Sequence, residues 1–287
     1  MMARILYGAD IKAKKVEALQ SRIAALREKG KTTLRLVSIQ VGHDDNSRVY
    51  LNAQRKNAEL LGIEYVIRHF ETATTKEILI FNIRKLNDDP SVDAIIIQTP
   101  LPAHIDYHAV IQHVAVKKDG EGTHPFNIGR LFLGYDELCP PTAKAALEII
   151  EDSGIDLYGK EAVIVGHSGI VGKPLALMLM NRHATVSVAH KATFEKGQLA
   201  EYTRRADLLI VAVGRAEMIR GDMVKDGAVV VDVGINSREG KIVGDVAFDD
   251  VKEKVSAISP VPGGVGPVTA IALMENVVYL AEHAHDE

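Results

Sequence analysis

A buried strand that runs directly into a glycine-rich turn and an apolar helix constrains the fold of this chain more than any other feature. Ala162–Val165 has the composition of a strand covered on both faces, and a helix is predicted over Leu175–Met180. Between them, Gly166, Gly169 and Gly172 follow the spacing G-x-x-G-x-x-G. Glycines let a backbone approach a pyrophosphate closely, and the free N–H groups at a helix start favour its negative charge. The segment predicts a dinucleotide-binding βαβ unit.

Two other interpretations of this turn are weaker. An ordinary tight connection between a strand and a helix has the same glycines and binds nothing. Ser168 suggests the nucleophile of an esterase, but a nucleophile elbow needs glycine two residues after the serine, and Ile170 stands there.

Strand-like apolar segments alternate with segments of helical length along the chain. In chain order the strand candidates are Leu34–Val41, Tyr65–Phe70, Val92–Gln98, Ala162–Gly166, Thr185–Ala189, Asp207–Gly214 and Ala228–Gly234. Helices are predicted over Asn46–Leu61, Thr142–Glu151 and Ala270–His283. This alternation is typical of parallel β-α-β units, so the predicted fold class is α/β.

The chain is expected to form two α/β domains with a cleft between them. Turn-forming residues crowd the segment between Lys117 and Pro141 and predict a loop-rich hinge. We therefore place one domain at residues 1–145 and a Rossmann-type dinucleotide-binding domain at residues 146–270. A helix in residues 271–287 is expected to pack back on the first domain.

Composition argues against several classes of partner. The 34 Lys and Arg residues against 38 Asp and Glu give a net charge of −4, too balanced for the positive field that nucleic-acid binding uses. The longest uncharged stretch, Val255–Met274, has the length of a membrane span, but its prolines and glycines predict a loop. No spacing of ligand residues indicates a metal site.

Two features favour a cytoplasmic protein. Cys139 is the single cysteine and cannot form an intramolecular disulfide, which fits a reducing compartment. The N-terminal residues have no apolar run of signal-peptide length.

The residues after the second strand of the dinucleotide unit bear on the choice of cofactor. An NAD site usually has Asp or Glu there to hold the ribose hydroxyls. Here Thr185–Ala189 is followed by His190 and Lys191. A basic ending suits a 2′-phosphate and favours NADP, with NAD as the alternative if Lys191 is only a solvated surface lysine.

Seven segments match the motifs of one family. They are Ser47–Tyr50, Ile97–Pro102, His124–Gly129, Gly159–Pro174, Ala184–Val186, Asp232–Asn236 and Pro260–Pro267. Together they resemble the bifunctional methylenetetrahydrofolate dehydrogenase/cyclohydrolase family, the FolD family, along nearly the whole chain. The resemblance implies a homodimeric oxidoreductase and hydrolase of one-carbon metabolism. Such an enzyme oxidises 5,10-methylenetetrahydrofolate to the 5,10-methenyl form with a nicotinamide cofactor and then hydrolyses that product to 10-formyltetrahydrofolate.

The resemblance also implies roles for individual residues. Tyr50 would lie along the folate ring, and Gln98 would hydrogen-bond within the active site. A loop that borders the cleft would consist of Pro262, Gly263, Gly264 and Val265. Contacts with the cofactor would come from Gly166, His167, Ser168, Gly172, Lys191, Gly214 and Ile235.

Departures from the family pattern bear on the chemistry. Gln54 stands where a catalytic lysine follows Tyr50 by four residues, Glu121 replaces the pterin-holding Asp, and His167 replaces an Arg that touches the NADP phosphate. Hydride transfer needs alignment more than a protein base, so it tolerates Gln54. Hydrolysis must move protons, and glutamine has no titratable group. Glu121 keeps the charge and can still bind a pterin amino group, unless it is only an exposed loop acid.

The sequence therefore predicts an NAD(P)-dependent methylenetetrahydrofolate dehydrogenase whose cyclohydrolase activity is doubtful. One alternative is a fully bifunctional enzyme in which Tyr50, Lys56 or water compensates for Gln54. By helical spacing, however, Arg55 and Lys56 point away from Tyr50, and Lys56 fits a solvated helix lysine. A second alternative is a non-catalytic homologue that binds folate or a dinucleotide.

Overall fold

The computed structural model describes residues 3–42 and 48–284, which form two compact units. The six-stranded unit comprises Met1–Ala13 and Thr142–Thr269, and the three-stranded unit comprises Lys14–Pro141 and Ala270–Glu287. The predicted domain of residues 1–145 placed the N-terminal residues with the first half of the chain, which is wrong. Arg4–Ile5 belongs to the six-stranded unit because it pairs with a strand of the second half.

Strands and helices alternate through the described residues. The strands are β1 (Arg4–Ile5), β2 (Leu34–Val41), β3 (Ile63–Phe70), β4 (Ala94–Ile97), β5 (Glu161–Val165), β6 (Thr185–Ala189), β7 (Leu208–Val211), β8 (Val229–Asp232), β9 (Asn236–Arg238), β10 (Lys241–Val243) and β11 (Ala257–Ile258). The helices are α1 (Gly8–Glu28), α2 (Arg48–Leu61), α3 (Lys76–Asp88), α4 (Tyr107–Ile111), α5 (Pro125–Phe132), α6 (Pro141–Asp152), α7 (Gly172–Asn181), α8 (Lys191–Glu195), α9 (Leu199–Thr203), α10 (Phe248–Val251) and α11 (Val265–Glu282). The seven predicted strands correspond to β2–β8. The predicted start of α2 at Asn46 lies outside the described residues.

The six-stranded unit is built on a parallel sheet with the strand order β1-β11-β8-β7-β5-β6. Its central strands β7 and β8 are buried along their whole length. Such runs of Val, Leu and Ile are typical of parallel strands that are covered on both faces. The chain leaves β5 for β6 on one side and returns to β7 on the other, so the strand order reverses at β5. Ligands of such sheets bind at the carboxyl ends of the strands beside this switch point.

The three-stranded unit has a parallel sheet with the order β3-β2-β4. Leu36 and Ser38 of the central strand β2 are register partners of Tyr65 on β3 and Ile96 on β4, respectively. Leu36 packs in a buried apolar cluster with residues of α1, α2 and α11. β3 lies at the edge of the sheet and is only partly buried.

The segment between Lys117 and Pro141 contains a helix, α5, instead of only the loops that were predicted. Its first residue is Pro125, which a helix start tolerates because the first N–H groups have no intrahelical acceptor. His124 Nδ1 accepts a hydrogen bond from Phe126 N at 3.0 Å and caps the helix. Histidine is not one of the common capping residues, so the start of α5 is only weakly indicated by its residues.

The uncharged stretch Val255–Met274 is not the loop that was predicted. It contains β11, and α11 begins at Val265 with Pro267 in its first turn. Proline is tolerated in a first turn for the reason that applies to α5. α11 is long and apolar enough to cross a membrane by length and composition, but 72% of that window is buried within the protein. Burial of this extent is typical of a core helix.

Candidate functional site

The residues predicted to bind the cofactor follow the carboxyl ends of four neighbouring strands. Gly166 follows β5, Lys191 follows β6, Gly214 follows β7 and Ile235 follows β8. Because these strands are parallel and lie in the order β8-β7-β5-β6, the four residues share one edge of the sheet. This edge includes the switch point at β5, where a dinucleotide binds in a sheet of this kind.

The turn after β5 has no room for a side chain at Gly166 or Gly172. A Cβ on Gly166, whose φ is +120°, would lie 2.2 Å from the carbonyl oxygen of Ala212. A Cβ on Gly172 would lie 2.1 Å from the carbonyl oxygen of Gly166. Ser168 Oγ accepts a hydrogen bond from Val171 N at 3.2 Å and fixes the turn before α7. A closely wound turn that leads into a helix start fits the pyrophosphate of a dinucleotide.

Basic side chains gather at the end of β6. His190 and Lys191 follow this strand directly, without an acidic residue. The ring centroids of His167 and His190 are 5.2 Å apart, so the glycine turn and the end of β6 contribute to one cluster. The Lys191 side chain is 85% exposed, with its Nζ 3.6 Å from a Glu195 carboxylate oxygen. The Lys191 ammonium and the N–H groups of the two histidine rings can bind an anionic group.

In the three-stranded unit, buried amide side chains form a hydrogen-bonded network. Gln54 on α2 and Gln98 after β4 are both buried. Gln54 Oε1 accepts hydrogen bonds from the Tyr65 hydroxyl at 2.6 Å and from Gln98 Nε2 at 3.0 Å. Gln98 Nε2 also donates to Ser38 Oγ at 2.9 Å. Among the described residues, Gln54 Nε2 has no hydrogen-bond partner, so this network holds an unused donor.

Three phenols of the same unit keep their protons. Burial and the negative charge of Glu121 raise the pKa of Tyr50 well above its ordinary value, and the neighbouring Gln54 amide opposes only part of this effect. Burial raises the pKa of Tyr65 to about 12. Burial and the charge of Glu121 also raise the pKa of Tyr107. All three phenols are therefore neutral hydrogen-bonding groups at physiological pH.

Glu121 is half-buried, not an exposed loop acid. Burial, with a further contribution from the charge of Asp119, raises the pKa of Glu121 to about 7. Its charge in turn affects Tyr50, Tyr65 and Tyr107, so the carboxyl group lies among these phenols. A carboxyl group of this pKa can both donate and accept a proton near neutral pH.

Asp119 and Lys118 of the same segment have structural roles. Asp119 is fully buried, and its Oδ2 accepts hydrogen bonds from His124 N at 2.7 Å and Asn127 Nδ2 at 2.8 Å. Burial raises the pKa of Asp119. Lys118 Nζ donates to three backbone carbonyls at and just after the end of α3, at 2.7–3.0 Å. Both residues fix the loop that carries Glu121.

Arg55 and Lys56 are both exposed on α2. Burial raises the pKa of Tyr65, and the charge of Arg55 opposes part of that rise, so Arg55 lies within electrostatic range of the Gln54 network. The expectation from helical spacing that neither side chain points toward the site stays a prediction.

The loop of Pro262, Gly263, Gly264 and Val265 lies in the six-stranded unit, at the start of α11. Gly8 N donates to the Gly263 carbonyl at 2.9 Å, and a Cβ on Gly8 would lie 2.2 Å from the Gly264 carbonyl oxygen. The loop thus packs closely against the start of α1. Its expected role toward a folate stays a prediction, as do the folate contacts of Tyr50 and Gln98.

Sequence analysis missed Ser38, Tyr65, Tyr107 and Asp119. Ser38 and Tyr65 lie on strands, where alternation predicts the face of a side chain but not its partner across the sheet. Tyr107 shares a hydrogen bond of 2.7 Å with Thr123 Oγ1. Asp119 is separated from Glu121 by one residue, Gly120, and this proximity in the sequence is the one signal available for it.

The part of the chain that the structure describes contains no group of three or more His, Cys, Asp or Glu side chains that could hold a metal ion.

These features define a class of protein: a two-unit α/β enzyme with a Rossmann-type dinucleotide unit and a separate polar site rich in amides and phenols. Comparison with known proteins identifies the family. A family described as tetrahydrofolate dehydrogenase/cyclohydrolase matches with its catalytic domain over residues 6–121 and with its NAD(P)-binding domain over residues 140–285. The bifunctional protein FolD of Halalkalibacterium halodurans is 42% identical over 282 residues, which cover 98% of this chain and 100% of that protein.

Solved structures agree with this assignment. The bifunctional FolD enzyme of Campylobacter jejuni has a TM-score of 0.93 at 43% identity and covers 98% of this chain and 99% of its own. The Trypanosoma brucei enzyme, solved as a complex with an NADP cofactor and an inhibitor, has a TM-score of 0.93 at 31% identity and covers 100% of both chains.

The chain belongs to the tetrahydrofolate dehydrogenase/cyclohydrolase family, as its motifs predicted. It is an NAD(P)-dependent methylenetetrahydrofolate dehydrogenase of one-carbon metabolism. This finding favours the enzyme over the non-catalytic homologue, and it confirms the predicted α/β fold with a Rossmann-type domain.

The raised pKa of Glu121 predicts a specific dependence of stability on pH. The folded protein holds the Glu121 proton up to about pH 7, whereas an unfolded chain releases it near the ordinary value of about 4.3. Stability therefore falls as the pH rises between these values. Glu121→Gln removes this loss, so the free energy of unfolding of the variant relative to the wild type is expected to increase from pH 5 to pH 8.

Urea unfolding followed by circular dichroism at the two pH values measures this difference. Glu71→Gln, at an exposed glutamate of the same unit, is the matched control and should give the same difference at both pH values. A pH-independent difference for Glu121→Gln would contradict the burial of its carboxyl group.

Proposed function

We propose that this enzyme uses NADP to oxidise 5,10-methylenetetrahydrofolate and has little cyclohydrolase activity because Gln54 occupies the position of a proton-transferring lysine. The observation that carries this proposal is the hydrogen bonding of Gln54. Its Oε1 accepts from Tyr65 and Gln98, and its Nε2 has no hydrogen-bond partner within residues 3–42 and 48–284. An amide held in this way can orient a substrate but cannot exchange a proton.

The oxidation step makes few demands on the three-stranded unit. The bound nicotinamide ring supplies a hydride acceptor. Loss of hydride from the methylene carbon leaves a cation that the two flanking folate nitrogens stabilise, so no protein base is needed. The residues of this chain then have to hold the folate in the orientation that places its methylene carbon against the nicotinamide ring. Neutral Tyr50 and the amides of Gln54 and Gln98 suit this task.

The unpaired N–H of Gln54 indicates what Gln54 contributes to binding. A buried donor without a partner costs about 1–3 kcal/mol, which a bound acceptor would recover. A pterin ring offers carbonyl and ring-nitrogen acceptors. We infer that Gln54 donates a hydrogen bond to the folate, with its own orientation fixed by Tyr65 and Gln98.

Hydrolysis of the methenyl product makes a different demand. Attack of water on the methenyl carbon must move protons at oxygen and nitrogen, for which a lysine of lowered pKa is suited. Tyr50, Tyr65 and Tyr107 hold their protons because their pKa values are raised. Arg55 and Lys56 are exposed to solvent on α2.

One observation favours a second candidate, the fully bifunctional enzyme. The Glu121 pKa of about 7 suits a general acid or base at physiological pH. Glu121 also lies close enough to Tyr50 to raise its pKa. If the cyclohydrolase activity is retained, Glu121 is the group that we expect to move the proton.

Gln54→Lys distinguishes the two candidates. The wild type is expected to accumulate methenyltetrahydrofolate, which should decay at the rate of a protein-free blank. Restoring an ammonium group beside Tyr50 should accelerate that decay, by roughly 10²-fold if it acts as a general acid or base. The measurement is the absorbance of added methenyltetrahydrofolate over time, with NADP-dependent oxidation measured in parallel.

Gln54→Met is the matched control, because it has a similar volume and no polar side-chain group. It should leave hydrolysis at the blank rate and weaken folate binding. Hydrolysis by the wild type above the blank, abolished by Glu121→Gln, would contradict the first candidate and support the second.

The preference for NADP is supported by the basic residues at the end of β6. His167, His190 and Lys191 are available to a 2′-phosphate, and the ribose-binding acid of an NAD site is missing from the positions directly after β6. The Trypanosoma brucei relative is solved with NADP. We infer that Lys191 contacts the 2′-phosphate, with NAD used less well.

Lys191→Ala should raise the KM for NADP by roughly tenfold and leave the KM for NAD nearly unchanged, because only NADP carries the charge that Lys191 would bind. Initial rates with each cofactor measure the two constants. Lys196→Ala, at another exposed lysine five residues along the chain, is the control and should change neither. Equal changes for both cofactors would contradict the assignment.

We infer that the protein is a homodimer in which β3 contributes to the interface. Among the described strands, β3 pairs only with β2, so one edge of it presents unpaired backbone groups. Such an edge suits pairing with a second copy about a two-fold axis. Sedimentation velocity should give about twice the mass of one chain at micromolar concentration, and a monomer over that range would contradict the inference.

A cytoplasmic location is also proposed. Cys139, the single cysteine, is buried in the three-stranded unit, which suits a reducing compartment. Fractionation of cells that express the tagged protein tests this location.

A further inference from the structure

A buried carboxylate ties together two loops at the cofactor edge of the six-stranded unit. Asp245 is fully buried, and no sequence motif pointed to it. Its Oδ2 accepts hydrogen bonds from Val213 N at 2.7 Å and Gly214 N at 3.0 Å. Its Oδ1 accepts from Arg215 N at 2.7 Å and Asn236 Nδ2 at 2.9 Å. One carboxylate thus serves three successive backbone amides after β7 and a side chain after β8.

Asp232 extends this arrangement at the end of β8. Its Oδ1 accepts hydrogen bonds from Gly234 N at 2.9 Å and Asp245 N at 3.1 Å, and its Oδ2 accepts from Val246 N at 2.9 Å. Asp232 therefore holds the backbone on both sides of Asp245. Burial raises the pKa of Asp232 to about 7.

The two carboxylates occupy the space that a side chain would need at Gly234 and Gly244. A Cβ on Gly234 would lie 2.1 Å from Asp245 Cγ. A Cβ on Gly244 would lie 1.9 Å from Asp232 Oδ2. The loops after β7 and β8 are thus built around the carboxylates, and neither carboxylate is an incidental contact.

The direction of the hydrogen bonds determines which backbone groups remain for a ligand. In a planar trans peptide the N–H and C=O groups point in opposite directions. Since the N–H groups of Gly214 and Arg215 point at Asp245, the carbonyl oxygens of Val213 and Gly214 point away from it. Gly214 and Ile235 are both exposed. The loops therefore present acceptors and an apolar side chain outward, while their amide donors are occupied inside.

The topology indicates which half of a dinucleotide meets these loops. The pyrophosphate is expected at the glycine turn after β5, and the adenosine ribose at the end of β6. β7 and β8 lie on the other side of β5 from β6. The ribose and nicotinamide half therefore lies over the loops that Asp245 holds.

We propose that Asp245 is a positioning residue for the cofactor, which fixes the loops after β7 and β8 so that Gly214 and Ile235 meet the nicotinamide half. Asp245 itself does not touch the cofactor. This inference rests on the assignment of Gly214 and Ile235 to the cofactor, which is part of the proposed function.

Asp245→Asn tests the proposal with little change in volume. Each carboxylate oxygen of Asp245 accepts two hydrogen bonds. In the variant an NH₂ group replaces one of these oxygens and cannot accept, so the two hydrogen bonds to that oxygen are lost. We expect the Kd for NADP, measured by titration calorimetry, and the KM for NADP each to rise roughly tenfold or more. The KM for methylenetetrahydrofolate should stay within about twofold, and amide exchange at residues 213–215 should become faster.

Asp207→Asn is the matched control at the opposite end of the same sheet. Asp207 Oδ2 accepts a hydrogen bond from Glu161 N at 3.0 Å, and its Oδ1 accepts one from Lys225 Nζ at 2.6 Å. The Asp207→Asn substitution should lower the melting temperature and leave the Kd for NADP unchanged. If Asp207→Asn weakened NADP binding as much as Asp245→Asn, the effect would be general destabilisation and the proposal would be overturned.

A folded Asp245→Asn protein with wild-type affinity for NADP would also overturn the proposal, and would leave the proposed function intact. Wild-type protein that binds neither NADP nor NAD would overturn both. If Asp245→Asn does not fold, Asn236→Ala decides the matter, because it removes one donor and leaves the carboxylate in place. It should then raise the Kd for NADP by roughly threefold, and an unchanged Kd would overturn the proposal.

Discussion

The parallel register of β5, β6, β7 and β8 is the constraint on which the dinucleotide site depends. Val165 is the register partner of Ala189 on β6 and of Val211 on β7, and Val211 is the register partner of Asp232 on β8. The last residues of the four strands therefore lie side by side, and the loops that follow them start at one level. A slip of one residue would shift a loop by about 3.3 Å and turn the strand's side chains to the opposite face. Burial of the apolar strands thus sets the geometry of a polar site.

In the three-stranded unit the corresponding constraint is the number of donors and acceptors at position 54. An amide supplies both kinds of group, and here the acceptor holds Tyr65 and Gln98 while the donor stays available. An ammonium group has three donors and no acceptor. A lysine at this place would require the Tyr65 hydroxyl to accept a hydrogen bond and the Gln98 amide to turn its oxygen inward. Tyr65 and Gln98 are therefore arranged as donors to an acceptor at position 54, which glutamine supplies and lysine does not.

Features set by residues close together in the sequence could be predicted from it, whereas contacts between distant segments could not. Apolar runs of four or more residues predict β2–β8, and β2, β4, β5, β7 and β8 are mostly buried. β1 and β11 have two residues each, too few to give a period, and they exist only as partners of each other and of β8. The glycine turn is local, so its geometry was predictable. The partners of Gln54 and Asp245 are set by register and by loops that meet from different strands, which spacing alone does not reveal.

The two hydrogen-bonded networks lie in different units, which gives the proposal that one reaction is altered without the other a structural basis. The contacts that hold the cofactor loops, through Asp245 and Asp232, lie entirely within the six-stranded unit. The contacts of Gln54, and the burial that raises the pKa of Glu121, belong to the three-stranded unit. On the proposed assignment, hydride transfer depends on the first network for the position of its acceptor and on the second only for orientation of the folate. Hydrolysis then depends on the second network for its protons. A substitution at position 54 is therefore expected to act on the step that needs proton transfer and to leave the hydrogen bonds of the cofactor loops in place.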